Sequence, residues 1–174
     1  MNVSPKKYCL DANVLIQAWQ TYYSPKFCPD YWNILRELGK QNIIFLAEEI
    51  HQEIVRTDDD LTAWLKSGAI PVVKTDGSVI ASLKTILDAN PLHKLLVDDV
   101  KGRSLGDPWL IAHAINTGAT VVTKETPLTA ANSNRIKIPN VCDNMGVPWL
   151  DDFGFVRETG IQFGCSLADG VFGD

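Results

Sequence analysis

The chemistry open to this chain rests on acids that follow apolar runs. Asp11 closes Tyr8-Cys9-Leu10 and leads at once into the apolar helix start Ala12-Asn13-Val14-Leu15-Ile16. In open α/β sheets, ligands sit beyond the carboxyl ends of strands, near the point where the strand order reverses. Glu125 follows the apolar run 119–123 in the same manner. Asp107 stands before an apolar helix, and Glu53 lies on the helix after the second strand, sharing a face with Glu49 four residues earlier. Like charges crowded together are costly unless a cation intervenes or protons are taken up. Oxygen-only ligands suit magnesium and manganese. One or two such ions can activate a water and stabilise the leaving oxygen of a phosphodiester.

Each acid also has a plainer reading. Asp11 and Asp107 are residue types that cap helices. Glu53 can be a solvated helix acid, and Glu125 a loop acid paired with Lys124 or a nearby base. Asp58, Asp59 and Asp60 suit the first turn of a helix, where acids favour the dipole. Asp98-Asp99 and Asp151-Asp152 read as solvated faces or caps.

The elements that must position these acids alternate. Strands are expected over 7–10, 42–46, 69–73, 119–123 and 148–150. Helices are expected over 12–20, 30–40 with Asp30 as cap, 47–56, 58–66, 77–89, 93–100, 108–117 with Asp107 as cap, 140–146 and 152–159. Residues 136–139 read as extended, and 22–29, which holds Pro25 and Pro29, as a loop. Alternation of this kind argues for a parallel sheet with helices on both faces. Residues 1–159 form one domain on this reading, and 160–174 a tail without clear period.

Composition narrows the classes. The 174 residues carry a net charge of −5, against a simple phosphate-binding module with a basic face. No apolar run approaches the roughly 18 residues needed to span a membrane, and no signal peptide precedes the first strand, so a cytoplasmic protein is expected. The four cysteines form no C-x-x-C pair and the three histidines are widely spaced, which argues against zinc.

Leu10-Asp11-Ala12-Asn13-Val14-Leu15-Ile16 resembles the opening motif of the PIN-domain nucleases. Gly106-Asp107-Pro108-Trp109-Leu110-Ile111-Ala112-His113-Ala114 resembles their third acidic motif, and Thr120-Val121-Val122-Thr123-Lys124-Glu125 the fourth. Glu53, within Glu49-Ile50-His51-Gln52-Glu53-Ile54, matches the second. The order agrees over roughly residues 7 to 159, with uncharacterised bacterial PIN-like proteins nearer in pattern than the VapC-type toxin ribonucleases. Two positions depart: Glu125 stands where many such nucleases carry Asp, and Glu49 competes with Glu53 for the second place.

The resemblance implies a three-layer α/β/α fold with a five-stranded parallel sheet of order 3-2-1-4-5. It implies a ribonuclease dependent on Mg2+ or Mn2+, with Asp11, Glu53, Asp107 and Glu125 as metal-binding quartet. Asn13 and Thr123 would orient the carboxylates, and Arg103 and Ser104 could touch the scissile phosphate. It further implies the toxin half of a type II toxin–antitoxin pair, acting on RNA, with an antitoxin protein as partner and a homodimer as assembly. Lys101, Arg103 and Lys124 flank the acids and would contact phosphate. Trp32 or Trp64 could form the dimer surface. Trp19, Tyr22, Tyr23 and Phe27 read as loop packing before base stacking, and Trp109 as core. The competing function is a degenerate PIN-like module that binds RNA or protein and cuts nothing. A phosphatase with Asp11 as nucleophile ranks low, because the second Asp it wants two residues later is Asn13.

Overall fold

The computed structural model describes residues 5–96, 106–129 and 135–167. Five short parallel strands form the centre: β1 (Tyr8–Leu10), β2 (Ile44–Ala47), β3 (Val72–Val73), β4 (Thr120–Val122) and β5 (Trp149–Leu150). Their order is β3-β2-β1-β4-β5, as the resemblance implied. β1, β2 and β4 are buried along their whole length, the mark of strands covered on both faces. Leu10 pairs with Val122 at the carboxyl ends of β1 and β4, so the residues after each strand emerge side by side.

Among the described residues eight α-helices connect and cover the sheet: α1 (Ala12–Gln20), α2 (Pro29–Lys40), α3 (Glu48–Ile54), α4 (Asp60–Lys66), α5 (Gly77–Ala89), α6 (Asp107–Thr117), α7 (Ile138–Met145) and α8 (Asp152–Thr159). Polar caps fix several starts. Asp59 accepts from Thr62 N at 2.8 Å, and Asp76 accepts from Ser78 N and Val79 N. α6 ends on Gly118, held at φ +66°, a left-handed turn that other residues enter at a cost. α6 is central: residues 110–114 are all buried, and it packs on α3, α5, β1, β2 and β4.

Local expectations fail where a proline or a neighbour decides. α2 starts at Pro29, so Asp30 sits in its first turn and Cys28 takes the cap position. α6 starts on Asp107 itself with Gly106 at the cap, so Asp107 is not the cap residue. The helix expected over 93–100 is a 3-10 segment, Pro91–Leu96, and 97–100 lie outside the described residues. Its His93 is fully buried, with Nδ1 2.6 Å from the Ile86 carbonyl and Nε2 3.0 Å from Asn144. Those two bonds tie the segment to α5 and α7. Residues 138–139 are the first turn of α7 rather than extended chain.

Trp32 is 3% exposed and packs edge-on against Trp19 and Trp64, and Trp64 is itself half-buried under Arg36. The indoles fill the space between α1, α2 and α4, so they are not the open dimer surface their sequence suggested. Tyr22 and Tyr23 pack as expected, Tyr23 stacking on Phe163, whereas Phe27 stays exposed.

Candidate active site

Asp11 leaves β1 at the sheet's carboxyl edge, 2% exposed. It holds the cap position of α1, yet its carboxylate makes no capping hydrogen bond. Instead Thr123, one residue past the end of β4, donates its hydroxyl to Asp11 Oδ2 at 2.8 Å. The two meet because β1 and β4 are in register, with Asp11 N donating to the Val122 carbonyl at 2.9 Å. The Thr123 oxygen in turn accepts from the Glu125 amide at 3.1 Å. One fully buried hydroxyl thus fixes two of the four acids relative to each other.

Burial raises the Asp11 carboxyl to about 6, the negative charges of Glu125 and Glu53 add to the rise, and the Thr123 bond opposes it. Glu53 is also pushed up by burial, with Arg56 pulling the other way. Among the described residues no Lys, Arg or His forms an ion pair with Asp11 or Glu53. Lys137 pairs with Glu125 and Arg56 acts on Glu53 from a distance, so among the described residues it is the Asp11 charge that no cation meets.

Gly106 is what lets α6 approach α3. A Cβ at that position would stand 2.8 Å from Ile50 Cδ1 and 3.3 Å from Glu53 Oε2. The Glu53 carboxylate therefore rests against the residue immediately before Asp107. Asp107 is 8% exposed at the first position of α6.

Glu49 goes elsewhere. Thr75 donates its hydroxyl to Glu49 Oε1 at 2.5 Å, and Glu49 Oε2 lies 3.3 Å from His113 Nε2. Of the two candidate acids on α3, Glu49 and Glu53, it is Glu53 whose charge bears on Asp11. Glu125 is only partly available: its Oε1 accepts from Lys137 Nζ at 2.8 Å and its Oε2 from Ile138 N at 2.9 Å. It ties down the start of α7, where an acid is favoured.

Lys124 is paired with a buried acid. Its Nζ lies 2.9 and 3.1 Å from the two oxygens of Asp152, and 4.9 Å from the centres of both the Tyr22 and Phe153 rings. Asp152 is 1% exposed and also accepts from the Tyr22 hydroxyl, so it is a buried ion-pair partner and not a solvated acid. Asp151 does cap α8, accepting from Gly154 N. No spacing rule links residues 22, 124 and 152, so sequence reasoning had no signal for this cluster. Asn13 is exposed and makes no side-chain hydrogen bond among the described residues. Arg103, Ser104 and Lys101 lie outside the described residues.

The donor set is all carboxylate oxygen, which fits magnesium or manganese. Among the described residues no group of three or more acids, histidines or cysteines is placed to hold a metal ion. Magnesium keeps several waters and is commonly held by only one or two protein carboxylates.

A doubly covered parallel sheet of order 3-2-1-4-5, with a buried acid at the carboxyl edge of its central strands, defines a PIN-like α/β fold. The chain belongs to the family described as a domain of unknown function (DUF4411), which matches residues 8–163. No curated protein matches it. Among solved structures it is similar to a chain in the crystal structure of VapBC2 from Rickettsia felis bound to a DNA fragment from their promoter. The identity is 16%, with 83% of this chain and 97% of that chain covered and a TM-score of 0.50, a likeness of fold. Among the described residues no helix is long and apolar enough to cross a membrane.

Proposed function

We propose that this protein is a divalent-metal-dependent ribonuclease, with Asp11, Glu53, Asp107 and Glu125 around its ion. The observation that carries this reading is Asp11: buried, unpaired with any described cation, fixed by Thr123, and in the field of Glu53 and Glu125. A carboxylate kept in such a place costs stability, and a bound cation offsets that cost. Asp11 and Asp107 would hold Mg2+ or Mn2+, with Glu53 joining directly or through water. The bound ion would supply an activated water and neutralise charge on the scissile phosphodiester. Thr123 keeps Asp11 from rotating, the kind of support that outer partners give metal ligands. Glu125 acts as a fixed negative charge beside Asp11, and reaches an ion only by exchanging its Lys137 and Ile138 contacts.

Single-stranded RNA is the substrate this reading takes, with Arg103 and Ser104 as phosphate contacts. The similar solved structure is of a VapBC2 complex bound to promoter DNA. By analogy the chain is the toxin of a type II toxin–antitoxin pair, cytoplasmic, bound by an antitoxin protein and assembling as a homodimer. The test is cleavage of single-stranded RNA by the purified chain with Mn2+, Mg2+ or chelator. Cleavage that needs the ion and vanishes in Asp11→Asn and Asp107→Asn is expected. Cleavage indifferent to both substitutions would count against the reading.

The committed carboxylate of Glu125, and the absence among the described residues of three acids placed to hold a metal ion, favour one alternative, a module that keeps the fold, binds RNA or protein and cuts nothing. Titration calorimetry with Mn2+ separates the two, since such a module binds the ion poorly.

A further inference from the structure

Outside the acidic hollow, the most unusual polar group in the core is His113. It is fully buried in the middle of α6. Its Nε2 lies 3.1 Å from the Thr75 hydroxyl oxygen and 3.3 Å from Glu49 Oε2. Thr75 donates that hydroxyl to Glu49 Oε1, so the hydrogen-bond network assigns the Nε2 hydrogen of His113 to the Thr75 oxygen. Burial lowers the His113 pKa against the opposing pull of Glu49, which keeps the ring neutral. Its Nδ1 and Glu49 Oε2 are buried without an aligned partner among the described residues. Two under-satisfied polar atoms in a core are costly. Glu49 on α3 and His113 on α6 carry those atoms, and Thr75, in the connection between β3 and α5, bonds to both. Thr75 N also donates to Glu48 Oε2 at 3.1 Å, a second bond onto the start of α3.

We propose that Glu49, Thr75 and His113 form a clamp setting how α3 lies against α6, and are positioning residues for the ion-binding hollow. Glu53 sits one helical turn beyond Glu49, about 6 Å along α3 at 1.5 Å per residue. Asp107 sits six residues before His113, about 9 Å along α6. At that end the helices meet through Ile50 and Glu53 against Gly106, with no room for a Cβ. The polar clamp at one end and the glycine contact at the other fix both slide and rotation of α3. A shift at the clamp is passed by a rigid helix to the Glu53 carboxylate. This assignment rests on the proposed metal-dependent function.

The test is Mn2+ titration calorimetry on the metal-free full chain, with hydrogen exchange of α3 amides as second readout. Thr75→Val removes the hydroxyl at nearly constant shape and Thr75→Ser restores it. Asn144→Leu breaks the His93 bond to α7 and serves as a control that loosens the fold elsewhere. Thr75→Val and His113→Ala are expected to weaken Mn2+ binding by about tenfold or more, the scale of losses seen when supporting residues of metal ligands are removed. They are also expected to speed exchange in α3. Thr75→Ser and Asn144→Leu should bind Mn2+ as wild type does. Wild-type affinity in Thr75→Val and His113→Ala, while Asp11→Asn abolishes binding, overturns the clamp alone. Binding untouched by Asp11→Asn, or absent from the wild type, overturns the functional reading and the clamp with it.

Discussion

Lys124→Met tests whether the lysine beside Glu125 serves the fold or the substrate. In the structure its amine sits on both Asp152 oxygens, at 2.9 and 3.1 Å, and beside the adjoining rings of Tyr22 and Phe153. The lysine side chain is 20% exposed and the Asp152 side chain 1%. Methionine keeps most of the stem packed beside the rings but leaves Asp152 buried with only the Tyr22 hydroxyl for company. Removing one partner of a buried pair costs about 3–5 kcal/mol. The partial exposure of the lysine places the expectation at the lower end, about 3 kcal/mol. For a chain of this size that lowers Tm by roughly 6–12 °C. The double variant Lys124→Met/Asp152→Leu removes both charges and should recover most of the loss, because an apolar replacement of a buried pair is often neutral. Equilibrium urea unfolding of the wild type, Lys124→Met, Asp152→Leu and the double variant gives the coupling directly. A Lys124→Met protein as stable as wild type would refute the buried pair and return Lys124 to the list of phosphate contacts.

Other outcomes follow from single observations. In chelator, Asp11 has its pKa raised from 3.8 to about 6 in the folded state, so the native protein binds more protons between those values. Its contribution to stability is greatest at the acid end, is lost as pH rises from about 4 to about 6, and reaches about 3 kcal/mol of penalty at neutral pH. Asp11→Asn should therefore stabilise the metal-free protein at pH 7 and flatten that part of the pH profile, read by urea unfolding. Gly106→Ala forces Ile50 Cδ1 and Glu53 Oε2 aside. The flexible end of Ile50 can yield, so the stability loss should be small, about 1 kcal/mol, while Mn2+ affinity falls. Asp59→Ala removes the cap of α4 and should cost about 1 kcal/mol, with Mn2+ affinity unchanged because α4 carries none of the proposed ligands.

The layered fold was largely legible before any coordinates. Short apolar runs alternating with helical patterns gave strands and helices in the right order, because burial on both faces of a parallel sheet demands apolar residues at every strand position. Glycines follow α6, α7 and α8, each in a left-handed turn that closes its helix. Boundaries drifted where proline intervened, at Pro29, Pro91 and Pro139. The register of β1 against β4 brings the Thr123 hydroxyl onto Asp11.

The chain alone determined where acids would fall relative to strand ends, since that relation is local and follows from periodicity. What faces a helix from across the core was settled only by tertiary packing. Glu49 and Glu53 share a face of α3 and are equivalent by spacing, yet one meets His113 and Thr75 while the other reaches the field of Asp11. Lys124 and Asp152 are 28 positions apart and meet because β4 and β5 end side by side. Side-chain partners across the interior depend on how elements are stacked in three dimensions, and sequence separation holds no record of that stacking.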